Sequence, residues 1–163
     1  MRMDFVRRTI SVALAIMLLS FAPISAAQDK RADNMQILRE KIKADKKLVV
    51  ATNMELTESE AKTFWPVYDE YQRDLQNINR RIAGLLDRYA ADFHSKSLTD
   101  DKAKKLIDEA LAIEQSEADL KSTYAPKLGK ALPVIKVARY LQIENKIRAV
   151  IKYDLAQGVP LVR

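Results

Sequence analysis

The chain has 163 residues, with 28 Lys and Arg against 22 Asp and Glu, a formal net charge of +6 and no cysteine. That length suits a single domain, and the lack of cysteine excludes disulfides, thiolate metal sites and thiol nucleophiles. With 3 Gly, 5 Pro, 31% charged and 48% hydrophobic residues, the composition excludes collagen-like and disordered classes and favours a folded, helix-rich chain.

Three arginines, Arg2, Arg7 and Arg8, precede an almost unbroken apolar run from Ile10 to Phe21, and small residues follow at Ser25, Ala26 and Ala27. This order predicts a secretory signal peptide over residues 1–27, cut after Ala27. The run is shorter than the roughly 20 apolar residues that a membrane-spanning helix needs. The expected organisation is therefore a signal over 1–27 and one helical domain over 28–163, exported and mildly basic. Export makes nucleic acid an unsuitable partner, and a net charge of this size does not argue for one.

Four helices are expected in the remainder. The first covers about Lys30 to Ala51, with Met35, Leu38, Ile42 and Val49 on one face. The second begins at Thr57, where Thr57 and Glu60 have the spacing of a capping box: the hydroxyl serves one free N–H of the first turn and the carboxylate serves the N-cap N–H. From there Phe64, Tyr68, Tyr71, Leu75, Ile78, Ile82, Leu85 and Tyr89 alternate steps of four and three, the seam of long helices packed at a shallow angle. Pro66 inside that seam predicts a kink or a break near Trp65. Gly84 marks a second weak point, or a close approach of another backbone.

The third helix starts at Thr99, with Asp100 and Asp101 placed to favour the positive end of the helix dipole. Lys102 stands where a capping box would have its acid, so that box is incomplete. Leu106, Ala110, Ile113, Leu120, Tyr124 and Leu128 continue the seam, and Pro126 and Gly129 loosen its end. The fourth starts at Pro133, a favoured first helical position, and ends near Gly158, with Pro160 forbidding continuation. No stretch reads as a strand. The expected fold is all-α: an elongated four-helix hairpin or open bundle. A second helix of this length exposes more seam than so small a chain can enclose, which predicts either an extended shape or a paired one.

The chemistry is sparse. Arg73, Arg80, Arg81 and Arg88 line one side of the second helix, away from the seam. They read either as a basic face attracting acidic partners or as a solvated face balanced by Asp69, Glu70, Asp74 and Asp87. Phe64, Trp65, Tyr68 and Tyr71 read either as a binding or dimer patch or as plain core. Lys136, Arg139, Lys146, Arg148 and Lys152 give the fourth helix a basic face that would suit an anionic lipid surface, although Glu144 and Asp154 dilute it and favour a bundle helix. The lone His94 lacks the convergent partners a metal needs. Asp108, Glu109, Glu114 and Glu117 have the spacing of a solvated face. Gly-rich phosphate loops and dinucleotide fingerprints are absent, and the expectation is no enzyme, no metal and no cofactor.

One phrase occurs twice. LTESEAK, Leu56 to Lys62, returns 42 residues later as LTDDKAK, Leu98 to Lys104, with Leu, Thr, Ala and Lys shared. Two Leu-Thr helix starts at this distance in an exported helical chain resemble the Spy/CpxP family of periplasmic proteins, which carries a twice-occurring LTxxQ motif. Leu56, Thr57, Leu98 and Thr99 match it, while Glu60 and Lys102 stand where the family has Gln. FWPVYDEY (Phe64 to Tyr71) and LPVIKVARYLQIENKIRAVIKYDLA (Leu132 to Ala156) also resemble segments of a divergent branch. The resemblance implies a thin, curved helical hairpin that pairs as a cradle-like antiparallel homodimer in the periplasm. It further implies ATP-independent holding of unfolded clients on a basic, partly apolar face that would include Arg73, Arg80, Arg81, Arg88, Phe64, Trp65 and Tyr68. The alternative it implies is an adaptor that binds and represses an envelope-stress sensor kinase.

Overall fold

The computed structural model describes residue 40 and residues 45–162. The expected signal peptide and the first stretch of the expected first helix, with Met35, Leu38 and Ile42, lie outside the described residues. The chain divides into two units, Met1–Glu40 and Lys41–Arg163. Of the first only Glu40, a helical residue, is described. All architecture below belongs to the second.

Every described element is an α-helix: α1 over residues 45–54, α2 Glu58–His94, α3 Asp100–Ala131 and α4 Val134–Gly158. The first ends three residues beyond the expected Ala51. Glu55 then turns the chain with a left-handed backbone, φ 49°, and Lys96 does the same after α2 with φ 53°. Both occupy the place after a helix end where a left-handed residue frees the last carbonyls for capping. α3 and α4 are separated only by Leu132 and Pro133, with Pro133 as the N-cap of α4 rather than its first residue.

At 37 residues, α2 is roughly 55 Å long by the helical rise. It runs unbroken through Pro66, which excludes the break that was one of the two outcomes expected there. The imino nitrogen withholds one hydrogen bond from the Lys62 carbonyl, and burial of the rings on either side of Pro66 holds the helix together. α3 likewise continues through Pro126 and Gly129 to Ala131. At Gly84 no other backbone comes near among the described residues: a Cβ built there would touch only the Arg88 guanidinium, at 3.5 Å.

α2 and α3 form the closest helix pair, and α4 returns along α3. The predicted seam is the core. Phe64, Tyr68, Tyr71, Leu75 and Ile78 of α2 are buried against Ile113, Leu120, Tyr124 and Leu128 of α3, with Val50 and Met54 of α1 and Val137, Tyr140 and Ile147 of α4. Three aromatic side chains of α2 meet Tyr140. Its ring lies 5.2 Å from Phe64 at 80°, 6.0 Å from Tyr68 and 5.9 Å from Tyr71, and Tyr71 in turn meets Tyr124 at 5.4 Å and 88°. Edge-on contacts put the positive ring edge on the negative face, which adds to the value of burial alone. Beyond Ile78 on α2, and before Ile113 on α3, no described residue is fully buried.

Candidate functional site

The repeated phrase resolves into two helix starts of one design. Thr57 and Thr99 are the N-caps of α2 and α3, each hydroxyl accepting from the N–H three residues on, Glu60 at 3.3 Å and Lys102 at 3.4 Å. The shared alanines, Ala61 and Ala103, donate the first helical bond to the cap carbonyls at 2.9 and 2.8 Å. Leu56 and Leu98 sit one residue before the caps, the outer position of a hydrophobic staple whose inner position is the shared alanine. All four are half-buried.

The two positions that depart from LTxxQ each take a charged partner. Glu60 completes the capping box by accepting from the Thr57 N–H at 2.8 Å, and it also accepts from the Lys136 ammonium at 2.6 Å, tying the start of α2 to the start of α4. Lys136, together with the cap hydrogen bonds, holds the Glu60 carboxyl below its ordinary range. Lys102 instead reaches back to Asp92 at 2.6 Å and Ser97 at 3.1 Å, clasping the turn between α2 and α3. It holds Asp92 low in the same way. A neutral Gln could accept at the first site but could not form either ion pair.

The arginine quartet is split. Arg81 is half-buried and committed to α3, donating to Glu109 at 3.0 Å and to Ser116 at 2.9 Å. Arg80 turns back to Asn77 on its own helix. Arg73, Arg80 and Arg88 are exposed, and Arg73 and Arg80, seven residues apart, share one stripe of α2. The aromatic patch is core rather than surface: Phe64 and Tyr68 are buried, which corrects their assignment as candidate partner-binding residues. Trp65 is half-buried under the Lys47 ammonium, 5.1 Å from the ring centroid.

The expected basic face of α4 is largely paired within the chain. Besides Lys136, Arg139 reaches Glu55 at 3.1 Å and Lys152 reaches Glu117 at 2.9 Å. Arg148 is buried, with Glu117 and Asn79 accepting from its guanidinium. Glu117 is buried too, which overturns its reading as a solvated acid. Burial pushes its carboxyl up, but Lys152 and Arg148 outweigh that and leave it below the ordinary range. A second buried carboxylate, Glu144, lies one turn before Arg148 on α4 and accepts from Lys46 of α1 at 2.9 Å, Gln72 of α2 at 2.9 Å and the Tyr140 hydroxyl at 3.3 Å. Burial, then the nearby Glu144 carboxylate, pushes the Tyr140 phenol far up. Tyr124, pushed up to about 12 by burial and by its hydrogen bond to Asp74, closes a similar link from α3 to α2 at 2.6 Å. These groups are saturated with internal partners, and only the unpaired Arg148 Nε is left over. They lock helices together. Sequence periodicity could not find them, because Glu117, Glu144 and Arg148 occupy core positions where an apolar residue is expected.

Among the described residues, one feature that can take a ligand is an open groove between α2 and α4. Its inner part has a volume of about 320 Å3 and is lined, among the described residues, by Ile82, Ala83, Leu86, Ile151 and Leu155 together with Asn79, Asp87 and Arg148. Leu86, Asp87 and Leu155 continue it into an outer part of about 550 Å3 that runs past Ala90 and Phe93 to Val159 and Pro160. The tail is held there by Tyr89, whose hydroxyl donates to the Pro160 carbonyl at 2.7 Å. A third hollow, of about 400 Å3, sits at the turn beside His94 and Leu98. Among the described residues no group of acids and histidines could hold a metal ion, and no helix is long and apolar enough to cross a membrane. Compared with protein-family models, with curated proteins and with solved structures, the chain finds no match in any of the three.

Proposed function

We propose that this chain is an exported, periplasmic holdase of the Spy/CpxP type, which keeps unfolded clients from aggregating without ATP. The observation that carries this reading is the open apolar groove between α2 and α4, walled by Ile82, Ala83, Leu86, Ile151 and Leu155. Such a groove can accept successive apolar side chains of an extended polypeptide and release them, because no deep pocket or convergent polar set selects one ligand. The exposed Arg73, Arg80 and Arg88 on α2 would draw in acidic segments by long-range attraction before apolar contact is made. The absence of a catalytic constellation in the sequence agrees with a binding role.

Light scattering of a denatured client diluted into buffer tests this. The purified chain at several-fold excess should suppress aggregation, and Leu86→Glu, which puts a charge into the groove wall, should weaken that suppression while helicity by circular dichroism is retained. No suppression at any ratio would sink the proposal. Capture of one saturable sensor domain, with no effect on unfolded clients, would replace it with the adaptor reading.

A further inference from the structure

The groove between α2 and α4 has a buried cation at one end. Arg148 lines it together with Asn79, yet the arginine is only 5% exposed. Two of its three guanidinium nitrogens are used inside the chain: Nη1 donates to Asn79 and Nη2 to Glu117. The third, Nε, is buried with no hydrogen-bond partner among the described residues. A buried donor left unmade is costly and uncommon in folded chains. The charge is unbalanced as well. Arg148 and Lys152 share the single carboxylate of Glu117, while Glu144 is taken by Lys46. The cluster therefore keeps one net positive charge.

From that end the walls turn apolar. Ile82, Leu86, Ile151 and Leu155 flank the inner part, and Leu86 and Leu155 carry the groove on to Ala90 and Phe93. Val159 and Pro160 wall the outer part, where the Tyr89 hydroxyl holds the Pro160 carbonyl at 2.7 Å. From Asn79 to Phe93 the groove follows α2 for about 21 Å by the helical rise. An apolar trough of that length with a cation at one end matches a molecule charged at one end and apolar over the rest. The acids on the groove stand away from the cation. Asp87 is exposed and lies about 12 Å along α2 from Asn79 by the same rise, beyond the usual screening distance. Asp154 lines only the outer part.

We infer that this groove binds a free fatty acid, whose carboxylate accepts from Arg148 Nε and whose alkyl chain lies along Ile82, Leu86, Ile151 and Leu155. Nε is closed off in the free chain, so binding includes a rotation of the Arg148 guanidinium toward the incoming carboxylate. Lys152 stays on Glu117 throughout, so that buried acid keeps a cation. A phospholipid would bring a glycerol and a phosphodiester to an end that abuts the buried Ile78 and Ile147, and the smaller head of the free acid suits it better. The inference uses the groove of the holdase reading but does not rest on that reading, since capture of unfolded clients makes no use of the buried cation.

Displacement of cis-parinaric acid, a fluorescent fatty acid, from the full chain tests this. Probe fluorescence should rise on mixing and fall as dodecanoate is added below its micellar concentration. Dodecanol, the same chain with a neutral head, should compete about ten-fold less well. Lysophosphatidylglycerol with the same acyl chain should also compete less well than dodecanoate. Arg148→Gln should bring dodecanoate down to the level of dodecanol and leave dodecanol unchanged, a pattern that loss of folding cannot give. Ala83→Trp fills the groove without touching the Arg148 bonds, and serves if Arg148→Gln does not fold. It should weaken both ligands alike, by about ten-fold, with helicity by circular dichroism retained. Absence of probe binding would overturn the inference, and so would equal competition by dodecanoate and dodecanol. Undiminished binding in Ala83→Trp would place the ligand elsewhere and overturn it too. A lysophospholipid that outcompetes dodecanoate would overturn the choice of a free acid. No client protein enters these measurements, so failure of the holdase reading leaves their outcome standing.

Discussion

The two ends of the α2–α3 hairpin share a design and differ in what covers them. At the end near Phe64 and Leu128, four helices contribute, and every seam residue from Phe64 to Ile78 is buried. At the end near Tyr89 and Leu106, the same heptad seam continues but its residues are only half-buried. The apolar pattern is therefore not what separates the ends. What separates them is how many helices arrive, and the size of the side chains that bridge α4 to α2. The widest bridges are Tyr140 to Phe64, Tyr68 and Tyr71, and Glu144 to Gln72. The Glu117–Arg148 pair stands near the boundary between the two regimes.

The sharpest test of that contrast uses one substitution at both ends. Leu128→Ala, at a fully buried site, should cost about 3–4 kcal/mol, for lost transfer energy and for the cavity left behind. Leu106→Ala, at a half-buried position of the same seam, should cost only about 1–1.5 kcal/mol, because less apolar area is removed from water and less cavity is left. Urea denaturation of both variants checks this, and equal costs would show that the open end is as tightly built as the crowded one.

The boundary can be broken by pH. Glu117 is held below its ordinary value of 4.5 in the folded chain, so its contribution is fully present above the carboxyl value of the unfolded chain. That contribution is lost as pH falls through the lower folded value. The melting temperature should therefore fall as pH drops from about 5 towards 3. Glu117→Gln should cost about 2–3 kcal/mol at neutral pH, because it leaves the buried Arg148 without a charged partner. It should also flatten the acid part of the profile. An unchanged slope in the variant would assign the acid sensitivity to Glu60 and Asp92, both half-buried and both held low by a lysine.

The smallest effect sharpens the picture of the open end. Gly84 lies mid-helix with ordinary room for a Cβ beside Arg88, so Gly84→Ala should stabilise by about 0.5–1 kcal/mol through the reduced freedom of the unfolded chain. A loss of stability, seen as a lower midpoint in urea, would reveal an unseen neighbour at that face.

Much of the fold was legible from residue order. The spacing of Phe64 to Leu85 marks a buried stripe, the Thr57 and Thr99 caps mark two helix starts, and both need only local geometry, in which each side chain's place follows from its distance along one helix. Pro66 does not split α2, because its local penalty is a few kcal/mol, which several buried rings on the same helix outweigh. The candidate site was less legible. Arg81 and Arg80 look alike in sequence, and only the approach of α3, with Glu109 and Ser116, turns one of them inward.

The sequence by itself determined the helices, their starts and the stripe each would bury, because capping and periodicity are properties of a single segment. The tertiary structure alone decided which charges would be buried, how Glu60 and Lys102 would be partnered, and where the seam would remain open as a groove. Those outcomes depend on which helix arrives opposite which residue. Burial of a charge is tolerated only when the partner is already in place, and residues as far apart as Lys46 and Glu144 become partners only after the chain has folded.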